Sequence, residues 1–141
     1  MRLFKWGSAH AVYIPEFDAE HRTLFRMADE LQQAIATRAS TSRVRLLLRS
    51  LIAYMEDHFA HEERVMRTFA FPSYAWHKQQ HDTVRKRARH FVKLLDEGHH
   101  ETTMELLEFL SVWLKGHTGL TDRMMGAYLR NRERLQSTLA S

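Results

Sequence analysis

Between residues 58 and 81 the chain carries two pairs of metal-binding side chains at helical spacing. The stretch reads HFAHEERVMRTFAFPSYAWHKQQH. His58 and Glu62 are four residues apart, and so are His77 and His81. Four residues is about one α-helical turn, so each pair shares a face. Phe71-Pro72 lies between the pairs, where one helix ends and another can begin. Two antiparallel helices would present His58 and Glu62 opposite His77 and His81. Imidazole and carboxylate converging inside a bundle suit iron, zinc or manganese.

A histidine on an apolar face is more often core or surface than ligand, and one such pair arises easily by chance. Two pairs in one hairpin, with further candidates on other helices, change the balance. His21 lies on the apolar stripe of an earlier helix, and His117 and Asp122 lie on a later one. These last two are five residues apart, which is about 140° around a regular helix. They share a face only if the backbone gives, and Gly116 and Gly119 stand beside the histidine. A local π-bulge or kink is predicted there. Together the inward ionisable residues are His21, His58, Glu62, His77, His81, His117 and Asp122. Without metal, five imidazoles and two carboxylates in an apolar bundle would carry a heavy desolvation cost.

Four helices are needed to position this set. Residues 1–17 mix aromatics with Gly7 and Pro15 and read as an irregular arm. Asp18 is a plausible N-cap for a first helix over about 19–37, with His21, Leu24, Phe25, Ala28, Leu31 and Ile35 inward. A second helix is predicted over about 42–68 after Ser40-Thr41-Ser42, and a third over about 73–96, stopped by Gly98. The fourth runs over about 101–132, with Leu106, Leu110, Trp113, Leu114, His117, Leu120, Met124 and Tyr128 inward. No strand pattern, repeat or linker interrupts this. The fold class is all-α, an up-down-up-down four-helix bundle with an irregular N-terminal arm.

Composition agrees with one folded domain. The chain has 141 residues, of which 44% are hydrophobic, and no cysteine. That excludes disulfides, zinc–thiolate sites and cysteinyl iron–sulfur clusters. No signal peptide and no membrane-spanning run is visible, and a cytoplasmic location is expected. Net charge is +4, with basic clusters at Arg43/Arg45/Arg49 and over Arg85-Lys86-Arg87-Ala88-Arg89. No nucleic-acid motif stands behind that charge, so the second run reads as a solvated helix face. His10, His61, His90, His99 and His100 fall outside the ligand pattern and read as surface residues.

The order H…HxxxE…HxxxH…HxxxxD resembles the ligand signature of the hemerythrin family. Surrounding residues resemble its bacterial members: Trp6, Ile14-Pro15-Glu16-Phe17-Asp18, Tyr54, Phe59, Glu63, Met66, Phe71-Pro72 and Trp113-Leu114. The resemblance spans about residues 6–130. It implies a single hemerythrin-like domain, arm about 1–17 and bundle about 18–132, holding two non-haem iron ions and a bridging oxo or hydroxo group. His21 and His58 would bind one iron, His77, His81 and His117 the other, and Glu62 and Asp122 would bridge them. This ligand set leaves one position open on the iron with two histidines, where dioxygen would bind. Leu24, Phe59, Trp113 and Leu114 match the family's apolar dioxygen pocket. Thr118 stands where a large aliphatic is usual, so its hydroxyl would bond the bound oxygen or anchor a water. Tyr13 stands where glycine is usual, so the arm is expected to run differently.

The function implied is reversible dioxygen carriage, storage or delivery, not enzymatic turnover. A sensor acting through a separate partner is one alternative, and a di-iron enzyme handling peroxide or nitric oxide is another. A chain starting at Met1 without a signalling domain favours carriage over sensing. The histidine-rich shell, with only two carboxylates, favours holding oxygen over activating it.

Overall fold

A computed structural model describes residues 3–140, with side chains described as far as residue 133. Five α-helices carry the architecture: α1 (Pro15–Ala36), α2 (Thr41–Thr68), α3 (Tyr74–Asp96), α4 (Thr103–Gly116) and α5 (Asp122–Ala140). A π-helical turn, His117–Thr121, joins α4 to α5, so these two form the fourth rod of the bundle. No strand occurs among the described residues. No helix among them is long and apolar enough to cross a membrane.

The helices begin and end where local chemistry allows. Pro15 starts α1, because its fixed φ and missing N–H suit the first helical position. The arm is therefore shorter than the sequence suggests, and Asp18 is not the N-cap. Its carboxylate lies within the first turn and accepts from Val12 N–H at 2.8 Å and Tyr13 N–H at 3.1 Å. It pins the arm to the helix. Tyr13 has φ 61°, a left-handed conformation that favours glycine. The chain makes that turn with tyrosine, and Arg130 sits 5.2 Å over the ring. Ser40 caps α2 by accepting from Arg43 N–H. Gly98, at φ 89°, follows the end of α3, as expected.

The core is in two pieces. One apolar cluster includes Leu24, Leu48, Phe59, Val84, Leu110 and Leu114. A smaller one contains Val12, Phe17, Met66, Phe71, Met125 and Leu129. Along α1 the chain passes from the small cluster to the large one, along α2 it returns, and α3 and the fourth rod repeat the alternation. That order is the up-down-up-down bundle. In every rod the inward histidines and carboxylates fall between the clusters, so they form a polar layer across the bundle.

The fourth rod departs from the predicted face. Leu120 is 63% exposed and Met124 49%, although both were expected inward. Thr121, Met125 and Leu129 are buried instead. The π turn holds one residue more than an α turn. Everything beyond it is therefore rotated by about 100° relative to an unbroken helix.

Candidate metal centre

The π turn also settles the five-residue spacing. Asp122 N–H bonds His117 O, five residues back, and brings both side chains into the polar layer. Gly116 is not what permits it. Gly116 has ordinary helical angles, φ −69° and ψ −45°, and a Cβ there would meet nothing within 4 Å.

All seven residues singled out by spacing meet in this layer, and all are buried. They form two groups that share Glu62 and Asp122: His21 and His58 on one side, His77, His81 and His117 on the other. Each carboxylate divides its oxygens between the groups. Asp122 Oδ2 lies 2.9 Å from His21 Nε2, while Oδ1 lies 2.9 Å from both His77 Nε2 and His117 Nε2. Glu62 Oε2 lies 3.3 Å from His58 Nε2, and Oε1 lies 3.0 Å from His81 Nε2.

This donor set fits a pair of metal ions. Bonds of about 2.1 Å at right angles place neighbouring donors about 3.0 Å apart, and the measured separations centre there. His21 Nε2 and His58 Nε2 are 3.1 Å apart, and His81 Nε2 and His117 Nε2 are 3.2 Å apart. Neutral imidazoles can share at most one proton across such a gap. Both oxygens of Glu62, both of Asp122 and Nε2 of His77 are buried without a hydrogen-bond partner. Such orphaned groups are rare in a native core.

Without metal, the layer holds protons tightly. Burial works against charge on His58, but Glu62 and Glu20 outweigh it and raise its pKa to about 10. His117 is likewise opposed by burial and raised to about 9 by Asp122 and Glu62. Burial alone would raise Glu62 and Asp122, yet the imidazoles hold both carboxyls below the ordinary range. Metal binding therefore has to displace protons.

Two ligand candidates are steadied from behind. His58 Nδ1 faces Glu20 Oε1 at 2.6 Å, and His81 Nδ1 faces Glu63 Oε2 at 2.8 Å. Nδ1–H donation to a carboxylate fixes the tautomer and leaves Nε2 free for metal. Sequence reasoning missed Glu20 and the role of Glu63. The available signal was that each directly adjoins a ligand candidate, His21 and Glu62. Nδ1 of His21 and of His77 has no partner.

His61 and His10 are not free surface residues. His61 Nδ1 lies 2.6 Å from the second oxygen of Glu20. His10 is half-buried, with its ring 4.8 Å from Phe25 and Nδ1 3.3 Å from Thr118 Oγ1. His90, His99 and His100 are exposed, as expected.

Leu24, Phe59, Trp113, Leu114 and Thr118 are all buried beside the layer. Phe59 stacks on His81 at 3.9 Å and its centroid is 6.1 Å from His58, so it faces both groups. Trp113 meets Phe59 edge-on at 5.6 Å. Thr118 has partners within the chain. Its hydroxyl donates to Leu114 O at 2.5 Å, the common bond of a helical threonine to the preceding turn. In this arrangement the hydroxyl hydrogen is directed to the backbone.

The basic clusters are largely engaged. Arg49 and Arg45 pair with Asp96, and Arg45 also bonds the carbonyls at the end of α3. Arg85 bonds three carboxylates.

Comparison with known proteins agrees with this geometry. The profile of the Hemerythrin HHE cation binding domain matches residues 12–129. A bacteriohemerythrin of Methylococcus capsulatus is 28% identical over 130 residues, covering 92% of this chain and 98% of that protein. One from Aquifex aeolicus is 33% identical over 110 residues, covering 74% and 81%. The crystal structure of a wild-type hemerythrin superposes with a TM-score of 0.79 at 28% identity, covering 89% of this chain and 96% of that one.

Proposed function

The chain belongs to the hemerythrin family, and from that premise we propose that it binds dioxygen reversibly at two iron ions held by His21, His58, Glu62, His77, His81, His117 and Asp122. One observation carries this reading: the four oxygens of Glu62 and Asp122 divide between a two-histidine and a three-histidine group. The unequal count leaves the His21/His58 side one protein donor short. Two ferrous ions, when bound, supply one electron each and a coordination position for dioxygen on that side.

The remaining work falls to the chain. Glu62 and Asp122 would hold both ions, and their negative charges would offset part of the metal charge. Glu20 and Glu63 orient His58 and His81. Leu24, Phe59 and Leu114 are almost fully buried and keep bulk water from the layer. The Thr118 hydroxyl is engaged by Leu114 O and His10 Nδ1. Such a pocket does not hand the ligand a further proton, which favours return of the electrons and release as dioxygen over loss in reduced form. We therefore favour carriage, storage or delivery in the cytoplasm over peroxide or nitric oxide turnover or sensing.

The test is metal analysis followed by spectroscopy. Freshly purified protein should hold two irons per chain. Its absorption should gain a charge-transfer band in air and lose it under argon, repeatedly. His77→Ala and Glu62→Ala should each lower the iron content. One zinc per chain with no uptake of a second metal would refute the reading.

A further inference from the structure

We propose that Arg85 is a positioning residue of the metal centre, holding His81 in place through Glu63 and tying it to an ion-pair network at the surface. This rests on the di-metal reading above. His81 Nδ1 and Arg85 Nη2 both donate to Glu63 Oε2, each at 2.8 Å. The other nitrogens of Arg85 are engaged as well, Nε with Glu56 Oε2 at 3.0 Å and Nη1 with Asp82 Oδ1 at 2.8 Å. Three carboxylates engage all three guanidinium nitrogens and restrain its orientation. Arg85 thereby fixes the oxygen that fixes the imidazole.

The other half of the centre is built differently. Behind His58 stands Glu20, whose second oxygen faces His61. There the supporting carboxylate is shared by two imidazoles. Behind His81 it is held by a permanent cation, which also offsets its charge. The two metals would thus be supported by carboxylates of unequal effective charge. Position within a run of basic residues did not distinguish Arg85 from its neighbours. Arg87, in the same run, lies over Phe91 and Phe109 instead.

The test uses the iron-loaded protein with Arg85→Met, Arg85→Lys, Glu63→Gln, the double variant Arg85→Met/Glu63→Gln, and Arg87→Met as a control for lost charge. Methionine is chosen because Arg85 also lies 5.1 Å over the Phe59 ring, and an apolar chain keeps that packing. Two quantities are read: iron affinity, from competition with a chelator, and midpoint potential. Loss of a partner behind a metal ligand typically lowers metal affinity about 10–100-fold. Glu63→Gln should fall in that range and Arg85→Met near its lower end. In iron affinity the double variant should match Glu63→Gln alone, because Arg85 acts on His81 through Glu63.

The potentials should move in opposite directions. Arg85→Met leaves the charge of Glu63 uncompensated and favours the ferric state, lowering the midpoint. Glu63→Gln should raise it. A tenfold change in ferric-over-ferrous preference reads as about 59 mV. Arg85→Lys keeps the charge but not the fork, so its affinity should fall while its midpoint stays near wild type. The proposal is overturned if Arg85→Met matches wild type or Arg87→Met in both readouts, or if the affinity losses of Arg85→Met and Glu63→Gln add in the double variant. Wild-type protein that fails to hold two metals removes the parent reading and this one together; normal loading with an unchanged Arg85→Met removes this one alone.

Discussion

Replacing Met125 by alanine should destabilise the bundle severely, while the same change at Met124 should do little. The two residues are neighbours in sequence and identical in type. Met125 is 0% exposed and belongs to the small apolar cluster with Phe17 and Met66, whereas Met124 is 49% exposed. Truncating a buried methionine leaves a cavity and costs about 2–5 kcal/mol. A surface substitution usually stays within about 0.5 kcal/mol. For a domain of about this size each kcal/mol is worth about 2–4 °C in Tm, so Met125→Ala should melt at least about 4 °C lower. Thermal and denaturant unfolding of both variants, with iron content checked in each, would measure the difference. The comparison probes the π turn directly. An unbroken helix from Leu114 onward would turn Met124 inward and leave Met125 at the edge of the apolar face, and would swing Asp122 away from His117. If Met124→Ala proved the more damaging change, the register of α5 would be wrong and so would the reason Asp122 reaches the metal layer.

Three further outcomes are expected. In metal-free protein the pKa values of His58 and His117 are raised from 6.5 to about 10 and about 9, so their contribution to stability is full below about pH 6.5 and is lost as pH rises through 9 and 10; thermal melts of apo wild type against apo Glu62→Gln should converge over that window, and parallel curves would refute the coupling. Gly126→Ala should destabilise despite alanine's helical preference of about 1 kcal/mol, because its Cβ would lie 2.7 Å from Val12 O in the docked arm; Gly116→Ala, with open space around it, should be neutral or stabilising, and equal effects would show that the arm does not pack there. Thr118→Val removes a hydroxyl bound to Leu114 O and His10 and should cost about 0.5–1.5 kcal/mol while leaving the decay of the oxygenated spectrum in air unchanged; slower decay in the variant would mean that the hydroxyl serves the pocket after all.

Whatever depends on one helix at a time could be read from residue spacing alone. His58 with Glu62, and His77 with His81, share faces because the α-helix repeats every 3.6 residues. For the same reason the five-residue gap from His117 to Asp122 demanded a break, and the π turn at His117–Thr121 supplies it. Helix order followed from four amphipathic segments with short connections. What the sequence did not show is what depends on how helices are rotated against one another. The inward face of the fourth rod was misread at Leu120 and Met124 because the size of the rotation at the break is not written in the hydrophobic period. Asp18 was misread as a cap because its partners, Val12 and Tyr13, are set by where the arm docks. The pairing of Glu20 with His58 joins α1 to α2, and that of Glu63 and Arg85 around His81 joins α2 to α3. These contacts arise only when both clusters of the core are packed, because burial of the whole apolar surface sets the relative rotation of the rods, and no spacing within a single rod encodes it.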